Sequence, residues 1–297
     1  MRTGLLEKAA RIPNLHCIPT IVLRLLSGLP LKSLHWLGSV LGWIMYGTSP
    51  TYRRHLRENL ATARYHDARL RRRAIAAAGQ LVMELPAIWF RAHDKVVALV
   101  KSVEGADTAF AAQRAGKALL FLTPHMGAFE IAAQYAAMQV PITVLYRPPK
   151  AAWLEPLMRE GRGRANVRLV PADLGGVREI FRALKRGEAV GFLPDQVPGV
   201  GEGEWSEFFG RPAYTMTLAA KLAERQNTAC FLAFAKRLPR GEGYALHLRP
   251  LTATRAGESA TRRLNRALEE LITECPEQYL WGYNRYKTPE GAPPPPA

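Results

Sequence analysis

The stretch ALLFLTPHMGAFEIAAQYAAMQVPITVLYR, residues 118–147, decides the fold class. A short apolar run over 118–123 predicts a buried strand, residues 128–138 predict an apolar helix, and 142–147 predict a second strand. The same alternation of short strands and helices extends across residues 96–195. It indicates an α/β fold with a mostly parallel central sheet flanked by helices on both faces.

Three polar residues follow predicted strands within a few positions: His125, Arg147 and Asp195. In parallel sheets, ligands bind at the carboxyl ends of the strands, so we expect these side chains to converge on one rim. A Gly-rich stretch over residues 196–212 is too long for an ordinary connection. It is predicted to be a lid or a binding loop.

The turn before the helix carries the most suggestive pair, His125 and Glu130, five residues apart. On an ideal helix this spacing separates two side chains by about 140°, so His125 is expected to precede the helix. Gly127 lets the backbone approach closely, and Glu130 on the first helical turn is expected to reach back to the imidazole. The pair would then be a general base with its orienting carboxylate. The alternative is structural, with both residues capping the helix start.

Other chemistries fit this turn less well. One His and one Glu are too few ligands for a metal and HExxH is absent, so no metal or other cofactor is expected. GxSxG is also absent, and no cysteine neighbours His125. Direct attack by a substrate hydroxyl is therefore favoured over a covalent acyl-enzyme.

Residues 1–50 are predicted to be a membrane-associating helical segment. Its most apolar part, LHWLGSVLGWIMY at 34–46, spans roughly 20 Å as a helix, less than the ~20 residues that cross a bilayer comfortably. A short or re-entrant anchor is expected, and a helical hairpin in the core is the alternative. Residues 51–290 are expected to form the catalytic domain, and the proline-rich residues 291–297 a disordered tail.

Charge narrows the possible partners. The chain has 41 Lys and Arg against 25 Asp and Glu, a formal net charge of +16, which attracts nucleic acid, an anionic membrane or an acidic protein. No nucleic acid is expected, because helix-turn-helix, zinc and RNP signatures are absent and the positive charge is spread along the chain. The arginine-rich RLRRRA at 69–74 is typical of a solvated helix face, and it also suits an acidic protein partner or lipid phosphates. A basic nucleic-acid-binding protein and a non-catalytic membrane tether are the alternative classes.

Several blocks together resemble one family. PHMGAFE resembles the HxxxxE/D motif of glycerolipid-type acyltransferases, and most of residues 20–287 is similar to the bacterial lipid A biosynthesis lauroyl/myristoyl acyltransferases. The similarity is carried by LPLKSLHWLGSVLGWIMY, RRHLRENL, VLYRPPK, FLPDQ and CPEQYLWGYNRYK, in that order. HxxxxE alone is weakly specific, whereas the ordered set is much more so.

The resemblance implies a glycerolipid acyltransferase-like fold and a membrane-bound enzyme at the cytoplasmic face of the bacterial inner membrane. Its acyl donor would be acyl carrier protein, and its acceptor a hydroxyl of a lipid A precursor, or alternatively of an ornithine lipid or another glycolipid. By motif, His125 is the general base and Glu130 its partner. The implied substrate-binding residues are Gly127, Arg147, Asp195, Gln196 and Arg285.

Overall fold

The computed structural model describes residues 17–149 and 151–296. The first 16 residues of the predicted membrane segment lie outside the described residues, as does Ala297 of the predicted tail.

The N-terminal part of the described chain is helical. Its helices are α1 (Cys17–Ser27), α2 (Leu31–Thr48), α3 (Pro50–Thr62), α4 (Ala68–Phe90) and the short α5 (His93–Val97). Ser49 separates α2 from α3 and caps α3, because its hydroxyl accepts a hydrogen bond from the Tyr52 N–H at 3.2 Å. Asp67 caps α4 in the same way, accepting from the Arg69 N–H at 2.8 Å.

Helices α2 and α4 pack together through glycines. A Cβ atom added to Gly79 of α4 would lie 1.9 Å from the Gly38 carbonyl oxygen, and one added to Gly42 would lie 2.1 Å from the Ile75 carbonyl oxygen. A side chain at these positions would force the helices apart, so glycine allows the two backbones to touch. We call this contact of Gly38, Gly42 and Gly79 the glycine seam.

Large apolar side chains are exposed on the opposite side of α2, on α1 and in the turn between the two helices. They are Ile21, Val22, Leu25, Leu29, Trp36, Val40, Trp43 and Ile44, which we call the apolar face. Across residues 17–149 and 151–296, no helix is both long enough and apolar enough to cross a membrane.

The rest of the chain alternates strands and helices. The strands are β1 (Val100–Glu104), β2 (Ala118–Leu122), β3 (Ile142–Tyr146), β4 (Val167–Pro171), β5 (Ala189–Phe192), β6 (Gly203–Phe208), β7 (Arg211–Met216), β8 (Thr228–Arg237) and β9 (Tyr244–Pro250). The helices are α6 (Ala106–Arg114), α7 (Phe129–Ala136), α8 (Leu154–Arg162), α9 (Leu174–Lys185), α10 (Thr217–Ala223) and α11 (Ala260–Glu274).

The main sheet has seven strands in the order β1-β9-β8-β2-β5-β3-β4. Strands β8, β2, β5, β3 and β4 run parallel to one another, whereas β9 is antiparallel to β8, and β1 is parallel to β9. The predicted mostly parallel α/β sheet is therefore confirmed.

Strand β2 is central and covered on both faces. Its alternate residues Leu120 and Leu122 belong to the core that includes Ile180 of α9, whereas Leu119 and Phe121 belong to the core that includes Ile131 of α7. This double burial explains why the β2 sequence is a continuous apolar run rather than an alternating one.

The Gly-rich stretch over 196–212 is more regular than predicted. It contains β6, which pairs in antiparallel register with β7 to form a hairpin. Phe209 and Gly210 form the turn with φ values of 49° and 76°. Pro293, which belongs to the predicted tail, contacts this hairpin: its carbonyl accepts a hydrogen bond from the Trp205 indole N–H at 2.8 Å.

Candidate active site

The carboxyl ends of β2 and β5 bring His125 and Asp195 together. These strands are adjacent and parallel, with Leu122 opposite Phe192, so the residues that follow them emerge side by side. The Nδ1 atom of His125 lies 2.8 Å from Asp195 Oδ1, and the His125 backbone N–H donates to Asp195 Oδ2 at 3.0 Å. The buried carboxylate thus fixes both the ring and the turn that carries it.

Electrostatics keep this carboxylate ionised. Burial alone would raise the pKa of Asp195, but the charge and two hydrogen bonds of His125, together with the charge of Arg285, hold it below its ordinary value. An ionised Asp195 accepts from His125 Nδ1–H, so in the neutral imidazole Nε2 is the acceptor nitrogen. The side-chain amide of Gln196 lies 3.1 Å from Nε2 and can donate to it.

The turn itself depends on Gly127. Its φ is +58°, and an added Cβ would lie 2.1 Å from the Ala235 carbonyl oxygen on β8, so the predicted close backbone approach is confirmed. Its N–H donates to the Gln278 carbonyl at 3.0 Å, and its own carbonyl accepts from Arg237 at 2.7 Å. Both backbone polar groups are therefore used within the protein, and the structure does not support the predicted substrate contact.

Glu130 has a different partner from the predicted one. It lies on the first turn of α7 and forms a forked ion pair with Arg162 at the end of α8, with Arg162 Nε 2.8 Å from Glu130 Oε2. The Trp89 indole N–H of α4 also donates to Glu130 Oε2, at 3.3 Å. The predicted His125–Glu130 hydrogen bond is wrong, because the carboxylate is directed toward a guanidinium whose planar fork matches it.

Arg162 and Trp89 are site residues that sequence reasoning missed. Burial alone would lower the pKa of Arg162, but the adjacent Glu130 raises it above its ordinary value. The partners lie 32 and 41 residues from Glu130 along the chain. No local spacing therefore links them to the motif.

A cavity of about 750 Å³ joins these groups. His125, Glu130, Arg162 and Gln196 line it, and Asp195 lies behind His125. Much of the remaining wall is apolar and includes Phe129, Val144, Leu145, Leu169, Phe192 and Leu218. The cavity therefore combines one basic nitrogen with an apolar wall.

Arg147 also lines the cavity, as the rim argument predicted. Its side chain is 60% exposed, and its Nη2 atom lies 3.6 Å from Glu202 Oε2 of the following loop. An exposed pair at this distance is weak, so Arg147 is free to exchange Glu202 for an anionic ligand.

Arg285 is not placed as the sequence suggested. The residue is only 2% exposed, and its guanidinium donates to the Tyr214 carbonyl and the Thr215 hydroxyl, both at 2.8 Å. The buried position of Arg285 does not support the substrate contact that the resemblance implied. Its positive charge instead supports the ionised state of Asp195.

A carboxylate-bound histidine in an apolar cavity suits group transfer on a lipid-like substrate, which defines the chain as a candidate transferase. The family model described as bacterial lipid A biosynthesis acyltransferase matches residues 7–288. The chain belongs to this family, and it is an acyltransferase of lipid A biosynthesis.

Named relatives agree with this assignment. The chain is 29% identical to a lipid A biosynthesis lauroyltransferase of Escherichia coli K12 over 220 residues, which cover 72% of this chain and 71% of the relative. It is also 29% identical to a lipid A biosynthesis palmitoleoyltransferase of the same organism, over 75% of this chain and 74% of the relative. A lipid A biosynthesis acyltransferase of Haemophilus influenzae is 25% identical over 57% of this chain and 54% of its own length.

Proposed function

We propose that the enzyme transfers a fatty acyl chain from the thioester of acyl carrier protein to a hydroxyl of a lipid A precursor, with His125 as general base. One observation carries the proposal: His125 lines the cavity while Asp195 occupies its Nδ1 atom, which leaves Nε2 as the nitrogen available to a substrate hydroxyl. The family membership supports the acceptor, and the absence of a sequence nucleophile motif favours direct transfer.

The proposed reaction is a single acyl exchange. Nε2 takes the proton of the acceptor hydroxyl as its oxygen attacks the thioester carbonyl, and Asp195 stabilises the imidazolium that forms. The tetrahedral intermediate then collapses, the C–S bond breaks, and the imidazolium returns its proton to the departing thiolate. For the acceptor to reach Nε2, the Gln196 amide must give way, since it now lies 3.1 Å from that nitrogen.

The Glu130–Arg162 pair has a separate proposed role. Glu130 holds the guanidinium at the cavity wall, where its positive charge can stabilise negative charge that develops on the substrate. Glu130 therefore remains a proposed site residue, acting through Arg162 rather than through His125.

We also propose that the enzyme works on the inner membrane, with the catalytic domain on the cytoplasmic side. The apolar face supports this, because large exposed apolar side chains on α1 and α2 suit insertion into the lipid interface. Trp36 and Trp43 on this face are residues typical of the headgroup boundary.

A matched pair of variants tests the membrane proposal. Ile44 on the apolar face and Met138 after α7 are both 54% exposed. We expect Ile44→Glu to weaken binding to vesicles of phosphatidylcholine and phosphatidylglycerol by roughly tenfold or more, because a charged side chain replaces an apolar one that would be buried in the lipid. Met138→Glu should leave vesicle binding unchanged, and equal losses in both variants would contradict the proposed face.

The basic surface of α3 and α4 is the proposed docking site for the acidic carrier protein. Its exposed arginines are Arg54, Arg57, Arg69, Arg72 and Arg73. Salt screens attraction between exposed charges, so the KM for acyl carrier protein should rise as the salt concentration increases. Reversing Arg72 and Arg73 to Glu should raise that KM with little change in kcat.

The function itself is tested with the purified full chain, acyl carrier protein that carries a radiolabelled acyl chain, and a panel of acceptors. Transfer to a lipid A precursor, and not to an ornithine lipid or another glycolipid, is the expected result. Transfer only to one of the other acceptors would overturn the acceptor assignment. Salt-sensitive, nanomolar DNA binding without lipid association or transfer would favour the nucleic-acid alternative.

A further inference from the structure

A second buried carboxylate, Glu84 of α4, lies outside the cavity wall. It is fully buried and forms a forked ion pair with Arg237 at the end of β8, with N–O distances of 2.9 and 2.7 Å. Glu84 Oε2 also lies 3.2 Å from His35 Nε2 of α2 and 3.1 Å from the Tyr244 hydroxyl of β9. One side chain thus joins two helices to two strands.

Arg237 connects this cluster to the catalytic turn. The same Nη2 atom that binds Glu84 donates to the Gly127 carbonyl at 2.7 Å. The Arg237 backbone exchanges two hydrogen bonds with the Gln278 side chain, at 2.8 and 3.1 Å. The Gln278 carbonyl in turn accepts from the Gly127 N–H. Both backbone polar groups of Gly127 are therefore held by groups that meet at Arg237.

This arrangement requires the charges to be paired. A buried guanidinium without a counter-ion is costly, so Arg237 can remain at the turn only because Glu84 neutralises it. Burial alone would raise the pKa of Glu84, but the charges of Arg237 and His35 hold it below its ordinary value. The cluster is thus an ionised, fixed support for the carbonyl of Gly127.

We propose that Arg237 and Glu84 are positioning residues that fix the turn carrying His125 and, through it, the angle of the imidazole relative to Asp195. The proposal rests on the proposed function, in which His125 acts as base. Gly127 lies two residues after His125, so a shift of its carbonyl moves the His125 backbone, whose N–H is bound to Asp195 Oδ2.

The test compares Arg237→Lys and Glu84→Gln with a control at a second buried ion pair. Arg266 and Glu258 have side chains that are 7% and 6% exposed, against 3% and 0% for Arg237 and Glu84, and neither lines the cavity. In full-length enzyme, we expect kcat to fall roughly 10- to 100-fold in the two network variants, with the KM of both substrates nearly unchanged. Glu258→Gln should keep kcat within about twofold of the wild type.

A spectroscopic measurement separates positioning from folding and from the proposed function. The Nδ1 proton of His125, hydrogen-bonded to Asp195, should give a downfield proton resonance in the wild type and in Glu258→Gln. That resonance should shift or broaden in Arg237→Lys and Glu84→Gln. Because it needs no substrate, it tests the positioning role even if acyl transfer is not the activity.

Tyr244→Phe covers the case in which both network variants fail to fold, because it removes one hydroxyl and keeps both charges. It should shift the His125 resonance and lower kcat by a few-fold. The positioning role is overturned if folded network variants retain the wild-type resonance and kcat, or if Glu258→Gln loses as much. If both network variants are unfolded, an unchanged His125 resonance in Tyr244→Phe also overturns the positioning role.

Discussion

Two carboxylates serve the same cavity with different partners. Asp195 holds a histidine, with His125 Nδ1 2.8 Å away, whereas Glu130 holds an arginine in a forked ion pair. Imidazole gains and loses a proton near neutral pH, whereas guanidinium keeps its charge. A carboxylate bound to histidine supports proton transfer, whereas a carboxylate bound to arginine holds a positive charge in a fixed position.

In the proposed reaction, this difference gives the two pairs separate tasks. The His125–Asp195 pair would change its protonation state during turnover, so any change to it should slow the chemical step directly. The raised pKa of Arg162 keeps its guanidinium charged, so changes to the Glu130–Arg162 pair should act through geometry and electrostatic stabilisation, with smaller effects on kcat.

Removing the base gives the largest expected effect. His125→Ala should lower kcat by on the order of 10²–10⁴-fold, because in the proposed mechanism Nε2 takes the proton of the acceptor hydroxyl and alanine cannot replace it. The measurement is transfer of labelled acyl chain under saturating substrates. His66→Ala, at an exposed histidine outside the cavity lining, is the matched control and should retain full activity. Near-normal transfer by His125→Ala would remove the proposed base.

Changing Asp195, which orients His125, should lower kcat somewhat less than removing His125 does. In Asp195→Asn the neutral amide can donate to Nδ1 and favours the tautomer with its proton on Nε2, so kcat should fall by roughly 10²–10³-fold. Circular dichroism and thermal unfolding would establish that the variant is folded. Asp67→Asn makes the same chemical change at the cap of α4 and should leave kcat unaltered. Equal kcat in wild type and Asp195→Asn would contradict the proposed role of Asp195 in proton transfer by His125.

The arginine-bound pair should show a smaller loss and strong coupling. Glu130→Gln leaves the Arg162 charge without its counter-ion, and we expect kcat to fall about tenfold. In a double-mutant cycle with Arg162→Gln, the two losses should be non-additive by about 0.5–3 kcal/mol. Additive losses would mean that Glu130 acts independently of Arg162.

The smallest expected effect is that of acid pH on the free energy of unfolding. The lowered folded-state pKa of Asp195 stabilises the fold fully above the unfolded value of 3.8, and this contribution is lost as pH falls through the folded-state value. The difference in free energy of unfolding between wild type and Asp195→Asn should therefore shrink below pH 3.8. Urea unfolding at a series of pH values measures it, and a constant difference would contradict the lowered pKa.

The meeting of His125 and Asp195 was predictable because local patterns of apolar residues indicate the strands and their parallel arrangement. Each residue follows a predicted strand within a few positions, and parallel strands bring their carboxyl ends to one rim. The alternation across residues 96–195 therefore indicates both the parallel sheet and the meeting of His125 with Asp195.

Glu130, Glu84 and Arg285 were not predictable in the same way. Their partners come from elements distant in sequence: Arg162 lies 32 residues from Glu130, and Arg237 lies 153 residues from Glu84. Whether an arginine is buried on the back of a hairpin, like Arg285, or exposed at a cavity, like Arg147, depends on packing that the local sequence does not encode.

The glycine seam has a consequence for how the enzyme meets its acceptor. Because Gly38, Gly42 and Gly79 bring α2 directly onto α4, the apolar face is joined to the catalytic body without a linker. Trp89, near the C-terminal end of α4, contacts Glu130 at the cavity. In the membrane-bound arrangement that we propose, the segment of α4 between Gly79 and Trp89 separates the apolar face from the cavity, and its length helps to set how far an acceptor must leave the bilayer to be acylated.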